Sequence, residues 1–504
     1  MSLSAKEVVV RALVLRNLLV RNGRIGETAD RIGILLPPSV AAAITNLSLS
    51  LSKQITVNLN YALGSAFVNR CIEIARPNFV VTSRRFLSKV KLELECKDII
   101  FLEDLKLQAS IADKLKATFG AYLRSERSLI RDLGINQIEP GNPATILFTS
   151  GSTGDPKGVV LTHANIGHNL SEITRVGKFT DEDTLLGVLP FFHSFGFTAS
   201  LWATLTQDIT GVFHYHPLES EHIGKLAEKY KATIFHSTPT FLRQYLKRVA
   251  PRQFTNVNFV LSGGEPLKID LADNFEATFG TRPVDCYGAT ECSPLISLNV
   301  PKSRSTHVEP GIDRRDGSVG KPAKHVSVKV VDLDTQEPCP SGESGMILVR
   351  GPNVMAGYFE RDDLTRNVLK DGWYQTGDIG YFDQDGFLFI SGRLSRFSKI
   401  GGEMVPHIVI ENALSKLVYE KNDDQIRVGV TSTRNRSGEE SVVVIYNTCN
   451  QTVDEMIIHL AQSGLPNSFI PKPKNFISVD KVPTLPTGKL DLKRLKSIAQ
   501  KCTR

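Results

Sequence analysis

Cysteine is scarce in this chain: seven in 504 residues, at Cys71, Cys96, Cys286, Cys292, Cys339, Cys449 and Cys502. The number is odd and no CxxC pair occurs, which excludes a disulfide scaffold and a zinc ribbon and points to a reducing compartment. Long hydrophobic runs are missing as well. A membrane span needs roughly 20 apolar residues, and the best stretch, 8–20, is broken by Arg11 and Arg16; the same break argues against a secretory signal. Neither sign of charge dominates: 60 Lys and Arg face 53 Asp and Glu, a net of +7. That surplus is too small over this length for a nucleic-acid coat, though it leaves acidic partners open. Internal repeats and low-complexity tracts are also lacking. With 41% hydrophobic and 22% charged residues, the composition is that of an ordinary globular protein. The expectation is a cytoplasmic protein without a nucleic-acid partner, long enough for about three folding units at ~150 residues each.

What is present begins with a segment rich in Val and Leu. Residues 5–22 read as a helix carrying Arg11, Arg16 and Arg21 against one acid, Glu7. Three readings stay open: a first helix packed on its own domain, an interfacial helix giving peripheral contact with the inner membrane surface, or a transit peptide. Short apolar runs follow at 31–36, 78–82, 99–102, 145–149, 184–189, 233–236 and 259–261, with helical patterns between several of them, as at 219–230 and 268–279. This alternation predicts α/β layers built on largely parallel sheets.

The run TSGSTGDPKG at 149–158 follows one of these strands and precedes a helix expected near Thr162. Thr149, Ser150, Gly151, Ser152, Thr153 and Gly154 expose backbone N–H groups and hydroxyls suited to a polyphosphate, and Lys157 adds a positive charge. It is not a Walker loop, because Gly158 rather than a Lys-Ser or Lys-Thr pair completes it. Taken alone, the loop reads equally well as a flexible surface turn. Further motifs follow in order: LPFFHSFG at 189–196, SGGEPL at 262–267, YGATE at 287–291, YQTGD at 374–378, the pair Gly392 and Arg393, and PTGK at 486–489.

Together these six motifs and the loop resemble the signature of the acyl-adenylate-forming superfamily, which includes acyl-CoA synthetases, peptide-synthetase adenylation domains and firefly-type luciferases. The resemblance implies a large AMP-binding domain over 1–392, a hinge at 393–396, and a small, mobile α+β domain over 397–504. It implies ATP as a substrate and Mg²⁺ as a cofactor, with a fatty acid attacking the α-phosphate. The 149–157 loop would hold the β- and γ-phosphates. Glu291 would ligate the metal, assisted by the Thr149 hydroxyl; Mg²⁺ keeps several waters, so one carboxylate plus phosphate oxygens suffices. Gly263, Gly264 and Glu265, with Tyr287, Gly288, Ala289 and Thr290, would form the adenine side. Asp378 and Arg393 would hold the ribose. Lys489 would bridge the attacking carboxylate and the α-phosphate. His193, set among Phe191, Phe192 and Phe195, reads either as a satisfied core histidine or as the group at the carboxylate end of an acyl pocket. Phe197 and Trp202 suit core or pocket equally.

The stretch after Gly392 departs from the commonest pattern. Arg396 stands where Asp or Lys is usual, and RFSKIGGEMV at 396–405 resembles one branch, the acyl–acyl-carrier-protein synthetase half of the bifunctional 2-acylglycerophosphoethanolamine acyltransferase. That branch's HxxxxD acyltransferase pair has no counterpart; His163 and His168 supply no acid at the required place. Residues 472–504 hold nine Lys and Arg against two Asp and Glu, which suits an acidic carrier protein or anionic CoA as acceptor. The expected reaction is fatty-acid activation followed by thioester formation on acyl carrier protein, with CoA as the alternative acceptor. An amino-acid-activating domain and a non-catalytic nucleotide- or lipid-binding relative are the rivals.

Overall fold

The computed structural model describes residues 2–502 apart from 27, 150–154, 308–310, 401–402, 419–426, 435–439, 448–450, 464 and 485–489. The chain divides into two compact units. The first comprises Met1–Lys329, Leu348–Thr376 and Phe382–Phe389; the second comprises Val330–Ile347, Gly377–Tyr381 and Ile390–Arg504.

The first unit is α/β, built on two seven-stranded sheets. In one, strands Pro143–Thr149, Ile55–Asn58, Arg31–Leu35, Val80–Thr82 and Ile99–Phe101 run parallel, and Lys157–Thr162 and Gly357–Tyr358 add antiparallel at one edge. In the other, Val284–Gly288, Phe259–Ser262, Ile234–Ser237, Thr184–Gly187 and Thr210–Phe213 run parallel, and Leu295–Leu298 and Lys321–Pro322 close one side antiparallel. Strands such as Phe259–Ser262 and Thr184–Gly187 are buried at every position, as expected when helices cover both faces of a parallel sheet. One apolar cluster joins Leu186, Phe235, Val260 and the helix residues Tyr245 and Phe275.

Two strands escape the apolar pattern. Ile55–Asn58 sits mid-sheet, yet its buried positions include Thr56 and Asn58. Both have partners: the Thr56 hydroxyl donates to the Ala144 carbonyl at 3.5 Å, and Asn58 and Asn46 pair amides. Lys157–Thr162 returns antiparallel from the loop, so the glycine-rich segment joins two strands before the helix His163–Gly177 begins.

The first helix, Ala5–Arg21, packs within this unit. Ser4 and Glu7 form a capping box, and Ala12, Leu13, Leu15, Leu18 and Leu19 are buried. Most of its leucines are turned into the fold, though Val20 is exposed, so of the three readings of 5–22 the packed helix is the one observed. No described helix is long and apolar enough to cross a membrane.

In the second unit, strands Val428–Arg434 and Glu440–Asn447 pair antiparallel and Phe476–Val479 joins parallel. Alternation along Glu440–Asn447 sends Val442 and Val444 to a core with Ile410, Leu414 and Met456, and Val443 and Ile445 to a core with Leu495 and Ala499. Helices His407–Val418 and Val453–Gln462 supply the first core, and Leu492–Cys502 the second. Arg396 belongs to this unit. Its guanidinium pairs with Glu411 and donates to the Val430 carbonyl at 3.1 Å, while Glu411 accepts the Val430 N–H at 2.6 Å. Burial pushes the Glu411 carboxyl up, and Arg396 pulls it back down. Arg396→Ala therefore leaves a buried acid alone and is expected to cost about 3 kcal/mol or more. Arg396→Met combined with Glu411→Leu should recover only part of that loss in denaturant unfolding, because the Val430 carbonyl and N–H also lose their side-chain partners.

Candidate active site

In the first unit four of the motifs follow strand ends. The 149–157 loop, the 263–267 loop, the 189–196 segment and the 289–291 turn all follow the carboxyl ends of parallel strands, the end at which open α/β sheets bind ligands. Close packing dictates some of the residue choices. A Cβ at Gly288 would lie 2.4 Å from the Pro294 carbonyl oxygen, and one at Gly196 would lie 2.2 Å from that of Pro190, so only glycine lets these turns close.

Glu291 lies in the short 3₁₀ turn Thr290–Cys292. Its Oε1 accepts a hydrogen bond from the Tyr358 hydroxyl at 2.8 Å. Burial, reinforced by the Glu291 carboxylate, pushes the Tyr358 phenol far up, which keeps the donated proton in place. Buried Tyr374 is raised in the same way. Lys157 stands over the Tyr358 ring, 5.4 Å from its centroid. One tyrosine thus meets Glu291 with its hydroxyl and Lys157 with its face.

The helix His163–Gly177 sets this arrangement. Thr162 caps it, and Asn165 and Asn169, one turn apart, are buried on one face. Asn165 donates to the Pro352 and Val354 carbonyls, both at 2.9 Å. Asn169 donates to the Cys292 carbonyl at 3.2 Å and accepts the Leu295 N–H at 2.7 Å. Ser293 and Asn353 bond across to each other's segments at 3.0 and 2.8 Å. Met355 N–H then reaches the Glu291 carbonyl at 2.8 Å. The segments bearing Glu291 and Tyr358 are held to each other and to one helix.

In the SGGEPL and YGATE motifs, Tyr287 is buried and Glu265 accepts the Thr240 hydroxyl at 2.6 Å, fixing the loop that contains Gly263 and Gly264. Asp285 beneath it accepts the Leu267 N–H at 3.1 Å, and burial pushes its carboxyl up to about 7. Ala289 caps the Glu291 turn, and the Thr290 hydroxyl lies 3.3 Å from that of Ser194. His193 is exposed, its ring 4.5 Å from that of Phe192, so the core-histidine reading is set aside. Phe197 is buried edge-on to Trp202 at 6.1 Å.

In the second unit, Asp378 is buried and pairs with exposed Arg393 at 3.0 Å. Thr149 ends the strand before the phosphate loop. Ser150, Gly151, Ser152, Thr153, Gly154 and Lys489 lie outside the described residues. Among the described residues no cluster of three metal-ligating side chains occurs. A single carboxylate, Glu291, suits a hard cation bound mainly through phosphate oxygens and water.

The sequence reading missed Tyr358, Asn165 and Asn169. Tyr358 meets Glu291 across 67 residues, and nothing local marks it. The asparagines carry one faint signal, two amides four apart on the helix face that also buries Ile166, Leu170 and Ile173. Asn169→Ala should leave two buried backbone groups unpaired, at about 1–3 kcal/mol each, a loss readable by denaturant unfolding at neutral pH.

Comparison with known proteins agrees with this geometry. A family model described as AMP-binding enzyme matches residues 2–359. A long-chain-fatty-acid–CoA ligase of Bacillus subtilis is 27% identical over 98% of this chain and 89% of its own length. ATP-bound MatB from Rhodopseudomonas palustris superposes with a TM-score of 0.77 at 25% identity, covering 99% of this chain and 94% of that one. O-succinylbenzoate CoA synthetase (MenE) from Bacillus subtilis, in complex with ATP and magnesium, shares the fold with a TM-score of 0.77 at 23% identity, covering 97% and 93%. A family match over most of the chain, on a fold whose motif loops converge at the strand ends, makes this protein a member of the AMP-binding enzyme family.

Proposed function

We propose that this enzyme is an AMP-forming acid–thiol ligase that activates a fatty acid. The fatty-acid carboxylate attacks the α-phosphorus of ATP, pyrophosphate leaves, and a phosphopantetheine thiol then takes the acyl group from acyl-AMP, releasing AMP. The observation that carries this reading is Glu291 braced by Tyr358 with Lys157 on the same ring. Bringing two anions together makes charge neutralisation the main task. Thr149, Ser150, Gly151, Ser152, Thr153, Gly154 and Lys157 cradle the β- and γ-phosphates. Glu291, with Thr149, holds Mg²⁺, which would offset the charge on the departing pyrophosphate. Gly263, Gly264, Glu265 and Tyr287 through Thr290 receive the adenine, and Asp378 and Arg393 the ribose. His193 faces the acyl carboxylate, and Lys489 contributes most as charge builds in the transition state. The fatty-acid assignment draws on the Bacillus subtilis relative's name.

The small domain over 397–504 turns about the hinge at 393–396 between the two half-reactions. Since Arg396 is committed to Glu411 and Val430, the turning bonds lie just before it, at Leu394 and Ser395.

CoA as acceptor is supported by the names of relatives. Acyl carrier protein is a second reading, favoured by exposed Lys493, Arg494 and Lys496 on the helix Leu492–Cys502, whose other side buries Leu495 and Ala499.

Two measurements test this. Fatty-acid-dependent ATP–pyrophosphate exchange should vanish in Glu291→Gln. In Tyr358→Phe it should fall about 10- to 100-fold with a raised Mg²⁺ requirement, the effect of removing a hydrogen bond to a charged group at about 1.5–3 kcal/mol. Unchanged exchange in Glu291→Gln would show that no metal depends on that carboxylate. For the acceptor, one activated fatty acid is offered to CoA and to pantetheinylated carrier protein side by side. If the carrier docks on the terminal helix, reversing Lys493, Arg494 and Lys496 to Glu raises the carrier KM, leaves exchange intact, and removes the salt dependence. A folded triple variant with unchanged carrier KM rules that docking site out.

A further inference from the structure

The helix Ile111–Tyr122 has two apolar faces. One is used: Ala117 and Gly120 are buried, Ala117 joins Leu13 and Leu133 in a core cluster, and Arg21 grips Asp113 at 2.8 Å. The other is not. Ile111, Leu115, Phe119 and Tyr122, with Leu107 before them and Leu123 after, are 46–87% exposed. At 100° per residue the four helical positions fall within about 80° of arc, on the side away from Ala117. Lys114 and Lys116 flank the stripe on either side, and Lys106, Arg124 and Arg127 are exposed at its ends. Lys6 stands over the Tyr122 ring at 4.9 Å. Residues 106–127 hold five bases against two acids, and one of those acids, Asp113, is already bound by Arg21 and by Ser110.

A contiguous run of large exposed apolar side chains is uncommon on a soluble monomer and marks a contact surface. Lysines rimming an apolar stripe are the arrangement of a helix lying in the headgroup plane, apolar side chains in the acyl boundary and ammonium groups among phosphates. A second copy of this chain fits less well, since a two-fold contact would set the same lysines against each other. We propose that the face formed by Leu107, Ile111, Leu115, Phe119, Tyr122 and Leu123 docks on the surface of an anionic phospholipid bilayer. It deepens the reading given above, because fatty acids partition into bilayers and a docked enzyme meets its substrate there. The first helix, which the sequence offered for this role, is instead the support on which the docking helix rests.

The test is flotation of the full-length protein with phosphatidylglycerol–phosphatidylcholine vesicles and with pure phosphatidylcholine vesicles, without substrate. The wild type should float with the anionic vesicles and much less with the neutral ones, and salt should weaken binding. Leu115→Glu with Phe119→Glu should lower partitioning at least about tenfold. Lys114→Glu with Lys116→Glu should remove the preference for anionic vesicles. Both pairs are exposed, so circular dichroism should be unchanged, and exchange with a soluble short-chain acid in the absence of vesicles should match the wild type. Equal partitioning of the apolar pair and the wild type, or no flotation of the wild type, overturns the proposal. A wild-type dimer that the apolar pair converts to monomer, without vesicle binding, also overturns it and gives the face to a second copy. Because flotation needs no catalysis, vesicle binding by a protein that shows no fatty-acid-dependent exchange would sink the ligase reading while leaving the surface intact.

Discussion

The placement of Glu291 rests on two buried amides. The segments 292–295 and 352–354 run partly outside any strand ladder, so their backbone groups need partners from elsewhere. Asn165 and Asn169 supply them from adjacent turns of one helix, satisfying three carbonyls and one N–H. Side chains four apart on a helix share a face, so a single rigid element holds both segments. The Tyr358 hydroxyl meets the Glu291 carboxylate only because these two segments are held in register. Lys157 meets the ring of Tyr358 because the strand Gly357–Tyr358 pairs with Lys157–Thr162. A site that must receive a polyanion benefits from groups fixed beforehand, since reorganising dipoles during the reaction costs what preorganisation saves.

The sequence made the parallel strands legible wherever burial is apolar on both faces. Phe259–Ser262 and Ile234–Ser237 are short Val, Ile, Leu and Phe runs bounded by turns, and both lie within about two residues of the expected bounds. Ile55–Asn58 was not legible, because its buried positions include Thr and Asn, whose burial is made acceptable by a neighbouring strand and a neighbouring helix that a local pattern cannot show. The return strand Lys157–Thr162 was hidden for another reason. The expected strand–loop–helix order left no place for a hairpin, although its residues alternate tolerably. Glu291 could be named from its motif, whereas Tyr358 could not, since its meaning arises from pairing across the sheet edge. His193 was ambiguous among phenylalanines, and only its exposure separates it from core histidines such as His236, which burial pushes down to about 4.

The second unit has a different physical character. Its sheet is sandwiched between two cores of its own, and its buried polar groups are tied internally: Arg396 to Glu411, and Ser398 to His407 at 2.6 Å. Burial, with Arg396 and Lys496 nearby, pushes the His407 imidazole down to about 3, so that pair stays neutral at physiological pH. Arg396 and Glu411 thus satisfy each other and the Val430 backbone within one unit, at the position where the family pattern has another residue.

The N-terminal helices show why amphipathicity read from sequence alone misassigns surfaces. Ala5–Arg21 is the longer segment, rich in Val and Leu, and draws attention first, but it buries Ala12, Leu13, Leu15, Leu18 and Leu19 in the fold. Ile111–Tyr122 is less conspicuous because apolar residues occur almost all round it, broken by lysines. Such a pattern suits a fully buried helix, and this one is not buried. It is apolar on the inward side because it covers the first helix, and apolar on the outward side, where Lys6 stands over the Tyr122 ring and Ile111, Leu115 and Phe119 are exposed. Exposed Leu and Phe contribute nothing to folding stability and increase the risk of association. The face proposed above to dock on a bilayer is therefore found from exposure and not from mean apolarity.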